Sequence, residues 1–78
     1  MALSYNKLWK LLIDKGINKT KLRTATHMSS STMAKLGSNQ AVALSVLEKI
    51  CAELECNLGD IAEFTDLDVT RQEMRKKV

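Results

Sequence analysis

Tyr5, Leu8, Trp9, Leu12 and Ile13 recur at i, i+3, i+4, i+7 and i+8, the spacing of one helical face. Ser4 before this stripe is a natural N-cap and Gly16 behind it a stop, which predicts a first helix between them. In so small a chain the stripe is read as core rather than as a partner-binding face, with Lys7, Lys10 and Lys15 on the outer side. Ile17 anchors the link, and Asn18 caps a second helix over 19–26 whose inner face is Leu22 and Ala25. Met28 plugs a tight turn. Ser29 caps a third helix, about 29–37, held down by Met33 and Leu36 and ended by Gly37. Beyond the polar Ser38-Asn39-Gln40 loop, Leu44, Leu47, Ile50, Cys51 and Leu54 set a fourth helix over 44–54, behind the poor cap Ala43. Asn57 caps a short fifth helix over 58–64 that buries Leu58, Ile61 and Phe64. The polar tail, with scattered Leu67, Val69, Met74 and Val78, forms either a frayed end or a short helix. Arg75, Lys76 and Lys77 at its close suit the negative end of a helix dipole.

Composition narrows this to a single domain over 1–64 followed by a tail, 65–78. Seventy-eight residues that are 45% hydrophobic supply one small core. Zero Pro and three Gly favour an all-α chain over a hairpin-rich one. No apolar run reaches the ~20 residues of a membrane span. The opening MALSYNKLWKLLIDKG mixes lysines among its apolar residues and lacks a signal-peptide core, so a cytoplasmic location is expected. Cys51 and Cys56, five apart, have no companion ligands, and zinc needs about four. Cys51 is read as a buried thiol and Cys56 as a residue near a helix end. No metal, cofactor or small-molecule ligand is expected.

Charge is unevenly placed. Met1 to Ala43 carries seven Lys and Arg against the single acid Asp14, a net +6, whereas Leu44 to Val78 nets −3. The positive half surrounds KTKLRTATHMSSSTMAKLGSN, Lys19 to Asn39, where Ser30, Ser31, Thr32 and Lys35 point outward from the third helix. A short polar helix on a cationic surface suits a DNA major groove. The bland reading is a solvated face with Ser29 serving only as a cap. Charge and motif coinciding favour DNA.

The spacing resembles the helix-turn-helix of the lambda-repressor-like (Cro and XRE-type) regulators. In these a Leu is followed six residues on by an apolar turn residue and then directly by a small hydroxyl cap, the places of Leu22, Met28 and Ser29. Met33 and Leu36 match the later apolar positions. Two residues depart from the family: His27 stands where Gly is common and Arg23 where Ala is common. The resemblance covers roughly 5–64 and implies a compact five-helix DNA-binding domain with its helix-turn-helix at helices 2 and 3. It places Ser30, Ser31, Lys35 and Thr32 against base edges. Lys19, Ser29, Lys21, Arg23, Ser38, Asn39 and Gln40 fall against phosphates.

The function expected is double-stranded DNA binding by a small transcriptional regulator, as a repressor. A homodimer through the fifth helix or the tail would supply two-fold operator recognition. The other class considered is a protein-interaction module of the same fold, an antitoxin-like or antirepressor partner. No catalytic site is expected, because no base, phosphate-cradling loop or carboxylate pair accompanies the serines.

Overall fold

In the computed structural model, which describes residues 2–76, five helices follow one another, with a minimal ribbon tying the ends of the bundle together. The elements are β1 (Leu3–Ser4), α1 (Asn6–Lys15), α2 (Lys19–Ala25), α3 (Ser30–Gly37), α4 (Leu44–Leu54), β2 (Glu63–Phe64) and α5 (Leu67–Lys76). Leu58–Asp60 form a single 3₁₀ turn. The ribbon is antiparallel, with Leu3 opposite Phe64 and Ser4 opposite Glu63.

The core draws on every part of the bundle. Tyr5, Leu8 and Leu12 meet Leu22 from α2, Met28 from the turn, Leu36 from α3, and Leu47, Ile50 and Leu54 from α4, with Ile61 closing the end. These are mostly the apolar positions of the predicted faces. Four others turn outward: Ile13 is 77% exposed, Leu44 73%, and Leu58 and Phe64 about half. Ala25 is exposed as well, and the inner place beside Leu22 goes to Thr26. The Thr26 hydroxyl donates to the Leu22 carbonyl at 2.7 Å, which makes its burial affordable in hydrogen-bond terms. Cys51 is half-buried, not enclosed.

The predicted fifth helix over 58–64 does not form. The Asn57 N–H donates to Asp60 Oδ2 at 3.0 Å, which closes one tight turn around the poor helix former Gly59. The chain then extends as β2, because β1 offers it a pairing edge 60 residues away in sequence. Ser4 therefore belongs to β1 and Tyr5 takes the cap position of α1, although Ser4 Oγ still accepts from the Asn6 N–H at 3.2 Å. The helix over 67–76 supplies the fifth instead, with Lys77 and Val78 outside the described residues.

The four bundle helices end in the same way. A residue in the left-handed region follows each, and the next N–H reaches back five residues: Ile17 to Leu12, Met28 to Arg23, Gln40 to Lys35 and Cys56 to Cys51, at 2.9–3.0 Å. This is the Schellman closure, which satisfies carbonyls that the helix leaves free. Only α1 uses glycine for it, Gly16 at φ 67°. His27, Asn39 and Glu55 do the same work at φ 53–57°. Gly37, read as a stop, is instead the last helical residue of α3. Because the closure folds Cys56 back over Cys51, the two free thiols become neighbours. Burial and then the Cys51 thiol push the Cys56 pKa up.

Ile50 is fully enclosed, whereas Ile13 stands in water. Ile50→Ala is expected to cost about 2–5 kcal/mol and Ile13→Ala to stay within ~0.5 kcal/mol. Urea denaturation checks both, and equal effects would contradict this placement of the core.

Candidate nucleic-acid interface

Asn18 Oδ1 accepts from the Lys21 N–H at 2.8 Å and starts α2. The helix closes through Met28 N–H to the Arg23 carbonyl (3.0 Å) and His27 N–H to the Thr24 carbonyl (3.3 Å). Met28 is thereby driven into the core, and the chain emerges at Ser29 in an extended conformation, φ −73° and ψ 160°. Ser29 Oγ accepts from the Thr32 N–H at 3.1 Å, capping α3. The same hydroxyl lies 2.9 Å from Thr32 Oγ1 and 3.1 Å from Ser31 Oγ, a small exposed network.

Leu36, fully buried, and Met33, half-buried, hold the inner face of α3. Ser30, Ser31 and Lys35 are exposed on the other side, and Thr32 is intermediate. No acid occurs anywhere from Lys15 to Leu47, so α3 and its flanking loops carry no local negative charge.

The far end of α3 is held by Tyr5, which is fully buried. Its N–H donates to Asn39 Oδ1 at 3.1 Å and its hydroxyl to the Gln40 carbonyl at 2.8 Å. Burial pushes the phenol pKa up, partly opposed by a backbone hydrogen bond from Val42. The neutral phenol therefore stabilises the fold fully below the unfolded pKa of about 10, and that support is lost as pH climbs through the raised folded value.

The phosphate candidates are not equivalent. Lys19, at the start of α2, holds its ammonium 4.4 Å from the centroid of the Trp9 ring, which pre-orders it by a cation–π contact. Lys21 shares a concavity with Glu53 on the α2–α4 side. Arg23 is half-buried. Ser38 Oγ donates to the Ala34 carbonyl, and Asn39 gives its side-chain oxygen to Tyr5, leaving its amide N–H groups available. Gln40 keeps an exposed side chain.

Tertiary packing also alters the charge map. Lys7 donates to the Gly59 carbonyl and lies 3.8 Å from Glu63, while Lys10 and Lys15 share a concavity with Asp14, Glu55 and Asp60. The lysines of α1 thus face the acids of the second half. In exchange, Lys49 of α4 joins His27 beside Ser29 and Thr32, lining a concavity of about 260 Å³. Sequence reading missed Lys49, since it lies in the acidic half and only the packing of α4 beside α2 and the turn brings it to this end of α3.

His27 holds φ 55° with an exposed side chain. We expect His27→Gly to raise stability by about 0.5–1 kcal/mol and His27→Val to lower it by about 1–2 kcal/mol, read from urea midpoints. A destabilising His27→Gly would mean that the imidazole makes a contact outweighing its backbone strain.

Residues 7–66 match the Cro/C1-type HTH DNA-binding domain. The chain is 43% identical over 42 residues to the HTH-type transcriptional regulator YozG of Bacillus subtilis (strain 168), a match covering 54% of this chain and half of that curated relative. It superposes on the crystal structure of the transcriptional regulator VanUg with a TM-score of 0.78 and 56% identity, over 80% of this chain and 83% of that one. Among the described residues, no helix is long and apolar enough to cross a membrane.

Proposed function

We propose, from the premise that the chain belongs to the Cro/C1-type helix-turn-helix DNA-binding family, that it is a cytoplasmic repressor that reads a specific duplex sequence with α3 in the major groove. The observation that carries this reading is the exposed Ser30, Ser31 and Lys35 on a helix whose other face is locked by Leu36 and Met33. Lys35 donates to guanine O6 or N7, and the two serines are short, adaptable partners for base edges. Thr32, turned toward α4 and bonded to Ser29, serves the margin of the groove and offers its methyl to thymine.

Affinity comes from the backbone. Lys19, steadied on Trp9, meets a phosphate at the start of α2, and Ser29 meets one at the start of α3. Ser38, Asn39 and Gln40 follow the strand beyond α3, with the Asn39 amide as the donor that Tyr5 leaves free. Arg23 adds a cation from α2. Lys21 contributes least, because Glu53 stands beside it. Two protomers bind a two-fold operator with half-sites about one helical turn apart, and occupation of a promoter by the pair represses it.

The expected salt dependence follows from ~4–6 phosphate contacts per protomer: a log–log slope of affinity against salt near −4 to −5. Fluorescence anisotropy on an operator duplex checks it, and a flat response would sink the proposal. Lys35→Ala is expected to relax preference at one base pair, costing about 1–3 kcal/mol there. Selection from random duplex DNA reads this out; an unchanged sequence preference would remove Lys35 from the base-contacting set.

A further inference from the structure

Most of the outward-turned apolar residues of this protein, Ile13 and Val69 apart, adjoin one another. Leu44, Leu58 and Phe64 border a groove of about 380 Å³ whose floor includes Leu3, Val42 and Leu47. Phe64 also borders a second concavity, shared with Leu67 and Thr70 of α5, so the groove runs on into the face of that helix. Along α5, Leu67, Thr70 and Met74 fall at i, i+3 and i+7, one stripe of helical period. No residue of α5 is buried, and Leu67 and Met74 are 53% and 61% exposed. A free helix of ten residues is marginal in water, so α5 needs a packing partner to persist.

That partner is not the chain's own groove. Thr65 donates to the Ala2 carbonyl through both its N–H (2.7 Å) and its hydroxyl (3.2 Å), which fixes the exit from β2. Only Thr65 and Asp66 separate β2 from α5, too short a link to carry the helix back across Phe64. The molecule is accordingly elongated, 45 × 24 × 18 Å.

We propose that two copies of this chain exchange α5, each seating the Leu67–Met74 stripe in the Leu44–Leu58–Phe64 groove of the other. This rests on the two-fold reading above and gives it a contact surface. The exposed apolar side chains involved amount to roughly 500 Å² per copy, or ~1,000 Å² for the reciprocal pair, the lower edge of a specific interface. Charge is compatible with the seating: Glu63, which also lies 3.8 Å from Lys7, is the one charged residue lining the groove, and the last turn of α5 carries Arg75 and Lys76. A modest interface of this size also leaves the dimer responsive to concentration and to DNA.

Sedimentation of the full chain with paired charge variants tests the exchange. The unaltered chain should be dimeric at micromolar concentration. Leu44→Glu and Met74→Lys, both at solvent-exposed positions and so compatible with folding, should each weaken self-association about 100-fold or more. An equimolar mixture of the two should recover dimers, because one of its seats is unaltered and the other pairs Glu with Lys. A monomeric unaltered chain would overturn both the exchange and the two-fold reading. A dimer that survives Met74→Lys, or a mixture that fails to recover, would overturn the exchange alone and leave two-fold binding standing through another surface.

Discussion

Tyr5 is the residue through which the core governs the reading helix. Fully buried at the start of α1, it holds the Asn39 side chain with its N–H and the Gln40 carbonyl with its hydroxyl. Those two bonds hold the exit of α3 to the first turn of α1, across a sequence distance of more than thirty residues. The entrance of α3 is fixed at its other end by Met28 in the core. A helix clamped at both ends by buried groups presents its outer side chains in one orientation, which recognition of base edges requires.

Backbone strain is the cost of this compactness. Three of the four bundle helices reverse through residues other than glycine, at His27, Asn39 and Glu55. Left-handed backbone disfavours each of them by an amount on the order of 1 kcal/mol. The closures persist because each returns an N–H to a carbonyl that would otherwise lack a partner, and three of them send an apolar or half-buried residue inward: Ile17, Met28 and Cys56. At His27 the exchange matters most, since the same turn sets the angle between α2 and α3.

The surface separates into regions of different chemistry. Around α3 there are hydroxyls, amides and cations with no acid in the local sequence. On the α1 side, Lys7, Lys10 and Lys15 face carboxylates of the second half. Along α4, the ribbon and α5 lies most of the apolar remainder that this small core leaves outside, with Ile13 standing apart on α1. A chain of this size cannot cover all its apolar positions itself.

Periodicity and local caps together located α1, α2, α3 and α4, because their apolar positions recur at the helical interval and residues such as Asn18 and Ser29 mark their starts. The same local chemistry picked out Ser30, Ser31 and Lys35 as outward-facing, since Met33 and Leu36 define the opposite side. What the sequence could not disclose depends on partners far along the chain. The ribbon overrode the helical spacing of 58–64 because Leu3–Ser4 supplies a pairing edge that no local window contains. Lys49 reaches α3, and the α1 lysines find acids, only once α4 is packed. Ile13 and Leu44 fit their stripes but lie where the bundle has no neighbour to cover them. Local interactions determine which segments become helices; long-range contacts decide which of their faces, charges and ends are left for a partner.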